Sequence, residues 1–264
     1  MNTKGSRKDL NNDEVIIHIP HSSTVIPPQY RAGILLSDAE LKQELLRMTD
    51  HFVNDLFNIP AAHCHLNFVS RLVMDPERFR SDGQESMAEK GMGVVYTQTS
   101  AGLPLRRTNQ RLREKIVGKL YDPYHAKLTR RVDTILETHQ HCLIIDAHSF
   151  SSAALPYEQR SATENPEDRP DICLGYDPFH ISLNLLRRST DYFAGNGLTV
   201  AHNDPFAGSL VPIKHYHQDG RVQSLMVEIN RKLYLDEQSG EKNDNYEPMH
   251  KLIIGFFEML KSIN

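Results

Sequence analysis

Short apolar runs alternate with amphipathic stretches along most of this chain. Residues 14–19 (EVIIHI) form an apolar run that stops at Pro20 and predict a short buried strand. The next segment, PHSSTVIPPQYRAG, holds three prolines and a glycine and predicts a loop. Ser37 precedes Glu40 by three residues, the spacing of a capping box. Leu41, Leu45, Met48, Phe52 and Leu56 then recur at helical intervals and predict one helix through Leu56. Residues 66–74 (LNFVSRLVM) predict a second strand, closed by Asp75-Pro76, and residues 80–110 a long irregular loop. Asp122-Pro123 has the form of an N-cap followed by a first-turn proline, ahead of a helix with Tyr124, Leu128, Val132 and Ile135 on one face. CLIID at 142–146 predicts a strand that leads straight into Ala147-His148-Ser149. Residues 171–175, 198–201 and 225–229 predict further strands. Asp177-Pro178 opens a helix that stops near Gly195 or Gly197, and Pro248 begins a last one with Met249, Leu252, Ile253, Phe256 and Leu260 facing inward.

Strands alternating with helices predict an α/β fold, a three-layer sandwich around a mostly parallel central sheet. Ligands in such folds bind beyond the carboxyl ends of the strands. The first candidates for chemistry are therefore the residues that follow strands: His21, Arg78, His148 and Asp177, with Glu228 at the end of its own strand.

Composition narrows the function classes. The chain has 264 residues, 39% of them hydrophobic, enough for a sizeable core. One domain over residues 14–264 is expected, behind a polar arm at 1–13. Thirty basic against 34 acidic residues give a net charge of −4, which disfavours a nucleic-acid partner. No apolar run is long enough for a bilayer, so no membrane partner is expected, and the arm lacks the apolar core of a signal peptide. Three cysteines with no CxxC pair point to a reducing, cytoplasmic setting, with Cys142 and Cys173 as inert buried thiols. No GxGxxG, GxxxxGK[ST], GxSxG or HExxH motif is present, which removes the usual support for dinucleotide, P-loop, serine-hydrolase and zincin chemistry.

The 14 histidines are more informative, because several neighbour prolines, aspartates and turn residues. Pro20 turns the chain so that His21 is presented on a loop, either as a ligand or merely bonded to nearby backbone. Asp146 and His148 share a side if their strand continues, an arrangement in which the acid can orient a ligating histidine. Asp50, nine residues after Leu41, falls on the far side of the expected helix and there would be a solvated charge. Glu228 lies in the apolar run LMVEI, where a carboxylate needs a partner; it is a general base or a salt-bridge partner of Arg231 or Lys232. Arg71, Arg78 and Arg80 either grip a substrate carboxylate or pair with Asp75, Glu77 or Asp82. The five positive charges of residues 106–115 are expected on a solvated face.

The ordered string PHSS (20–23), TD (49–50), SRLVMDPER (70–78), PYH (123–125), DAHS (146–149), PDICLG (170–175), NDPFAG (203–208) and MVEINRKLY (226–234) resembles the N-formylglutamate amidohydrolases. That resemblance implies hydrolysis of N-formyl-L-glutamate to formate and L-glutamate, a last step in one route of histidine degradation. It implies a fold like that of the zinc-dependent exopeptidases (phosphorylase/hydrolase-like) and one divalent ion, zinc first and cobalt or manganese as alternatives. By motif, His21, Asp50 and His148 are the implied metal ligands, Glu228 the general base that activates water, and Arg78 and Arg71 the cations for an anionic small-molecule substrate. The family's DLNR reads DPER here, so Glu77 stands where the family has asparagine, and if that asparagine helps hold the substrate carboxylate, Glu77 would repel it. Two alternatives stay open: a metallocarboxypeptidase-like amidase acting on another N-acyl amino acid or small peptide, and a non-catalytic anion- or metal-binding protein.

Overall fold

A computed structural model describes residues 12–59, 62–107, 109–158 and 169–262; most of the expected polar arm lies outside them. Six strands form the central sheet: β1 Val15–Ile19, β2 His63–Leu66, β3 Cys142–Phe150, β4 Ile172–Gly175, β5 Val200–His202 and β6 Val222–Asn230. Their order is β2-β1-β3-β6-β4-β5, and only the β4–β6 pairing is antiparallel. The helices are α1 Pro28–Arg31, α2 Asp38–Met48, α3 Val53–Leu56, α4 Gln110–Ile116, α5 Asp122–His139, α6 Leu183–Gly195 and α7 Tyr246–Lys261.

The alternation of side chains along the strands builds three layers. Ile17, Ile19, Ile145, Val227 and Ile229 pack with α3, α6 and α7 on one face. Ile16, Cys142, Ile144 and Val222 pack under Leu128, Val132 and Ile135 of α5 on the other. On that second face the same period of two turns polar toward the carboxyl ends, placing His18, Asp146, His148 and Glu228 beyond the apolar cover of α5. The fold is thus mixed α/β with a mostly parallel sheet, as the hydrophobic pattern predicts.

Four local expectations are corrected. The helix that begins at Ser37 has its capping box, but it ends at Met48 rather than Leu56. Thr49 is extended, Phe52 is left-handed (φ 61°), and the Asp50 N–H donates to the His21 carbonyl at 3.0 Å. Asp50 is therefore buried instead of solvated. Residues 67–74 are turns rather than a strand. Asn67 and Ser70 capture the N–H groups of Val69 and Leu72 with their own side chains, which competes with a ladder. Asp122 does not cap a helix start. Asn109 caps α4, and a π turn at Val117–Tyr121 carries the chain into α5, accommodating the N–H that Pro123 lacks. Asp177-Pro178 forms a turn, with the Asp177 carboxylate accepting from the Phe179 N–H, and Ser182 caps α6. One member of the basic run also departs from a solvated face: Arg106 is buried and donates to the Leu72 carbonyl.

Candidate active site

A cavity of about 1450 Å³ opens over the polar ends of β1, β3 and β6. His21, Asp50, His148 and Glu228 line it, as do Arg71, Glu77 and Arg78. Each side chain arrives by a different device. Pro20 ends β1 and releases His21. The break after α2 delivers Asp50, hooked to the His21 carbonyl. His148 and Glu228 face each other in register on the paired strands β3 and β6. His148 lies within β3 rather than after it, because the strand runs on through Phe150.

His21, Asp50 and His148 each offer one donor atom, and the three atoms lie within 4.8 Å of one another. His148 Nδ1 is 3.1 Å and His21 Nδ1 3.8 Å from Asp50 Oδ2. The second nitrogen of each ring meets a carboxylate: His21 Nε2 lies 2.8 Å from Asp75 and His148 Nε2 3.1 Å from Asp146. Two buried imidazoles backed by carboxylates, plus a third carboxylate, make a donor set of the zinc type with its supporting shell. The residues present therefore fit a divalent ion. Burial and the nearby Arg71 lower the His21 pKa, which favours the neutral ring that a metal needs. Burial opposes charge on His148 as well, but Glu77, Asp146 and Asp50 hold its pKa well above the ordinary value. His18, the other histidine of the first motif, bridges Asp146 (2.6 Å) and the Tyr124 hydroxyl (2.7 Å).

Glu228 is nine-tenths buried, and its Oε2 has no hydrogen-bond partner. Neither Arg231 nor Lys232 pairs with it. Arg231 instead donates to Asp50 Oδ1 at 2.9 Å and to the Arg47 carbonyl at 2.7 Å, fixing Asp50. Burial, reinforced by Asp50 and Glu77, pushes the Glu228 carboxyl up to about 8, against the pull of His148 and Arg231.

Arg71 and Arg78 converge on one buried acid, Asp75, at 2.9 and 3.6 Å. Asp75 also accepts from the Tyr96 hydroxyl (2.6 Å) and the Glu77 N–H (2.9 Å). It opposes its own burial through Arg78, His21 and Arg71, which hold it ionised far below the usual carboxylate range. Arg80 also lines the cavity, paired with Asp122 at 2.8 Å, whereas the strand-end candidate Asp177 bonds His217 and Tyr216 and is not among the lining residues. Arg78 does line the cavity, although no strand precedes it. Cys142 and Cys173 are buried, with thiols pushed up by burial to about 12 and about 11. Sequence reasoning treats Asp75 and Arg231 only as ion-pair partners. The signal for Asp75 was present: an acid closing an apolar run, with arginines four residues before and three after.

Buried histidines and carboxylates gathered over the carboxyl strand ends of an α/β sheet make this a candidate metal-binding site, and the comparisons show the family in which it occurs. The family model for N-formylglutamate amidohydrolase matches residues 13–235, and the chain belongs to that family. Its fold is similar to the crystal structure of N-formylglutamate amidohydrolase from Ralstonia eutropha JMP134, with a TM-score of 0.79 and 22% identity over 95% of this chain and 94% of that one. It is also similar to gene product Atu2144 from Agrobacterium tumefaciens, with a TM-score of 0.60 and 16% identity over 96% and 95% of the two chains. No curated protein matches the sequence. No helix among the described residues is long and apolar enough to cross a membrane.

Proposed function

We propose that this chain hydrolyses the formyl amide of N-formyl-L-glutamate or a close N-acyl amino acid, using a divalent ion held by His21, Asp50 and His148. Zinc is the first choice for that donor set, with cobalt and manganese as alternatives. The observation that carries the reading is the buried Glu228, with an unpartnered oxygen, in register beside His148 in a chain of an amidohydrolase family. When bound, the ion supplies Lewis acidity toward the scissile carbonyl and makes water easier to deprotonate. Glu228 accepts the proton of the attacking water as its oxygen bonds to the formyl carbon. It then returns that proton to the amide nitrogen as the C–N bond breaks, so that formate and the free amine leave. Asp75 and Asp146 hold the two imidazoles in place, and Arg231 holds Asp50.

Chelation is expected to abolish hydrolysis, and readdition of the ion to restore it. His21→Ala and His148→Ala should each lose most of the bound ion by elemental analysis. Full occupancy in both variants would remove the ligand assignment. Arg78 is the proposed anchor for a substrate carboxylate, with Arg71 beside it. A charge-assisted pair of this kind contributes roughly 1.5–3 kcal/mol, so Arg78→Ala should raise KM about 10- to 150-fold with kcat little changed. A formyl amine without a carboxylate should feel little of this. Equal losses on both substrates would mean that Arg78 serves only to neutralise Asp75.

One observation favours a larger substrate. The cavity, at about 1450 Å³, exceeds the roughly 300–1,000 Å³ of ordinary small-molecule sites. A screen of N-formyl, N-acetyl and longer N-acyl amino acids, read as kcat/KM, decides between the two readings.

A further inference from the structure

Glu77 is not accounted for by that mechanism. Its backbone is pinned, with the N–H donating to Asp75 and the carbonyl accepting from Arg78 at 3.2 Å. The neighbouring Pro76 carbonyl accepts from His125 at 2.9 Å. The carboxylate is thereby turned into the site, and every ion-pair contact it makes among the described residues is to a histidine. Oε1 lies 3.2 Å from His148 Nε2 and 3.8 Å from His18 Nδ1, while Oε2 lies 3.7 Å from His21 Nδ1. Asp50 Oδ2 stands at nearly the same distance, 3.8 Å, from that same His21 nitrogen.

Charge makes this placement costly without a cation. Five carboxylates gather here: Asp50, Asp75, Glu77, Asp146 and Glu228. Arg71 and Arg78 serve Asp75, and Arg231 serves Asp50. Asp146 is engaged by two histidines and by the Leu210 N–H. Glu77, whose side chain is only 16% exposed, has no lysine or arginine partner among the described residues. Its nearest positive partner is the His148 imidazole, which must be neutral to hold an ion, so in the loaded site Glu77 lacks a counter-charge unless it contacts that ion. Glu77 also stands with His18 and Asp146 in a second group whose donor atoms lie within 4.8 Å of one another; donors that share an ion at about 2.1 Å lie about 3–3.5 Å apart, so Glu77 Oε2, now 3.7 Å from His21 Nδ1, would rotate toward Asp50 to join the first group.

We infer that Glu77 is a fourth protein ligand of the divalent ion, completing a set of two histidines and two carboxylates. The inference rests on the metal site proposed above. It also removes the objection that Glu77 would repel a substrate carboxylate, because its charge is spent on the ion. A second carboxylate shifts the preference toward harder ions that take more oxygen ligands, manganese and cobalt relative to zinc.

The test is metal binding by the full-length protein, stripped with a chelator and titrated separately with Zn²⁺, Mn²⁺ and Co²⁺ in competition with a chromophoric chelator. Glu77→Gln and Glu77→Asn should each weaken binding at least about 10-fold, and Mn²⁺ more than Zn²⁺. The visible absorption of the Co²⁺-loaded protein should change in both variants, and the rise in melting temperature on adding Mn²⁺ should shrink. Glu89→Gln, another carboxylate along the cavity, should leave all three readings at the wild-type value. If Glu77→Gln and Glu77→Asn bind all three ions as the wild type does while His148→Ala binds none, Glu77 is no ligand and the proposed function stands. If His21→Ala and His148→Ala also bind normally, the underlying metal site fails with it.

Discussion

Glu228→Gln is expected to lower kcat by ~10²–10⁴-fold while leaving bound metal at the wild-type level. Gln keeps the size and reach of the side chain but cannot accept a proton at neutral pH. The substitution breaks no hydrogen bond at Oε2, because that oxygen has none to lose. It also removes a group whose ionisation burial, Asp50 and Glu77 all oppose, so folding of the metal-free chain at neutral pH no longer has to draw a proton onto it. The metal-free variant should therefore melt at a higher temperature than the metal-free wild type at neutral pH. Loss of activity together with gain of stability is the expected signature of a general base held in an unfavourable environment. A purely structural carboxylate would behave in the opposite way, with lower stability and intact turnover. Near-wild-type kcat in this variant would end the general-base assignment, and Glu77 would be the next group to test in that role.

The sheet was legible because its signals are local. Buried parallel strands appear as continuous apolar runs, and residues 15–19, 142–146 and 225–229 gave that signal without ambiguity. The identity of the residues at the strand ends was legible too: the period of two carries Asp146, His148 and Glu228 onto one face. What could not be read was tertiary. Leu41 through Leu56 keeps a helical period, yet the chain leaves the helix at Thr49, because the bond from the Asp50 N–H to the His21 carbonyl is made 29 residues away in sequence. That single break turns Asp50 from a solvated charge into a member of the site. The apolar run at 66–74 likewise yields to Asn67 and Ser70, whose side chains offer the backbone a closer partner than any strand. The convergence of Arg71, Arg78, Tyr96 and His21 on Asp75 spans residues 21–96, and no spacing rule reports it.

That convergence makes Asp75→Asn the most damaging single change expected for the fold. Asp75 is fully buried and meets five groups: His21, Arg71, Arg78, Tyr96 and the Glu77 N–H. An amide keeps the shape, but it removes the charge and turns an N–H₂ toward groups that are themselves donors. Two buried guanidinium groups then lack their counter-ion, since neither Arg71 nor Arg78 has another carboxylate partner among the described residues. Removing one member of a buried ion pair is worth roughly 3–5 kcal/mol, a large share of the ~5–15 kcal/mol that keeps a domain folded. For a chain of this size that corresponds to a fall in melting temperature of about 6–10 °C. The site should suffer beyond the fold. His21 loses the acceptor that orients its ring, so the fraction of Asp75→Asn that remains folded should hold less metal, as expected when the partner of a ligating histidine is lost. A melting temperature within two or three degrees of the wild type, with normal metal content, would mean that the arginines find water or other carbonyls instead. The role assigned to Asp75 would then be withdrawn.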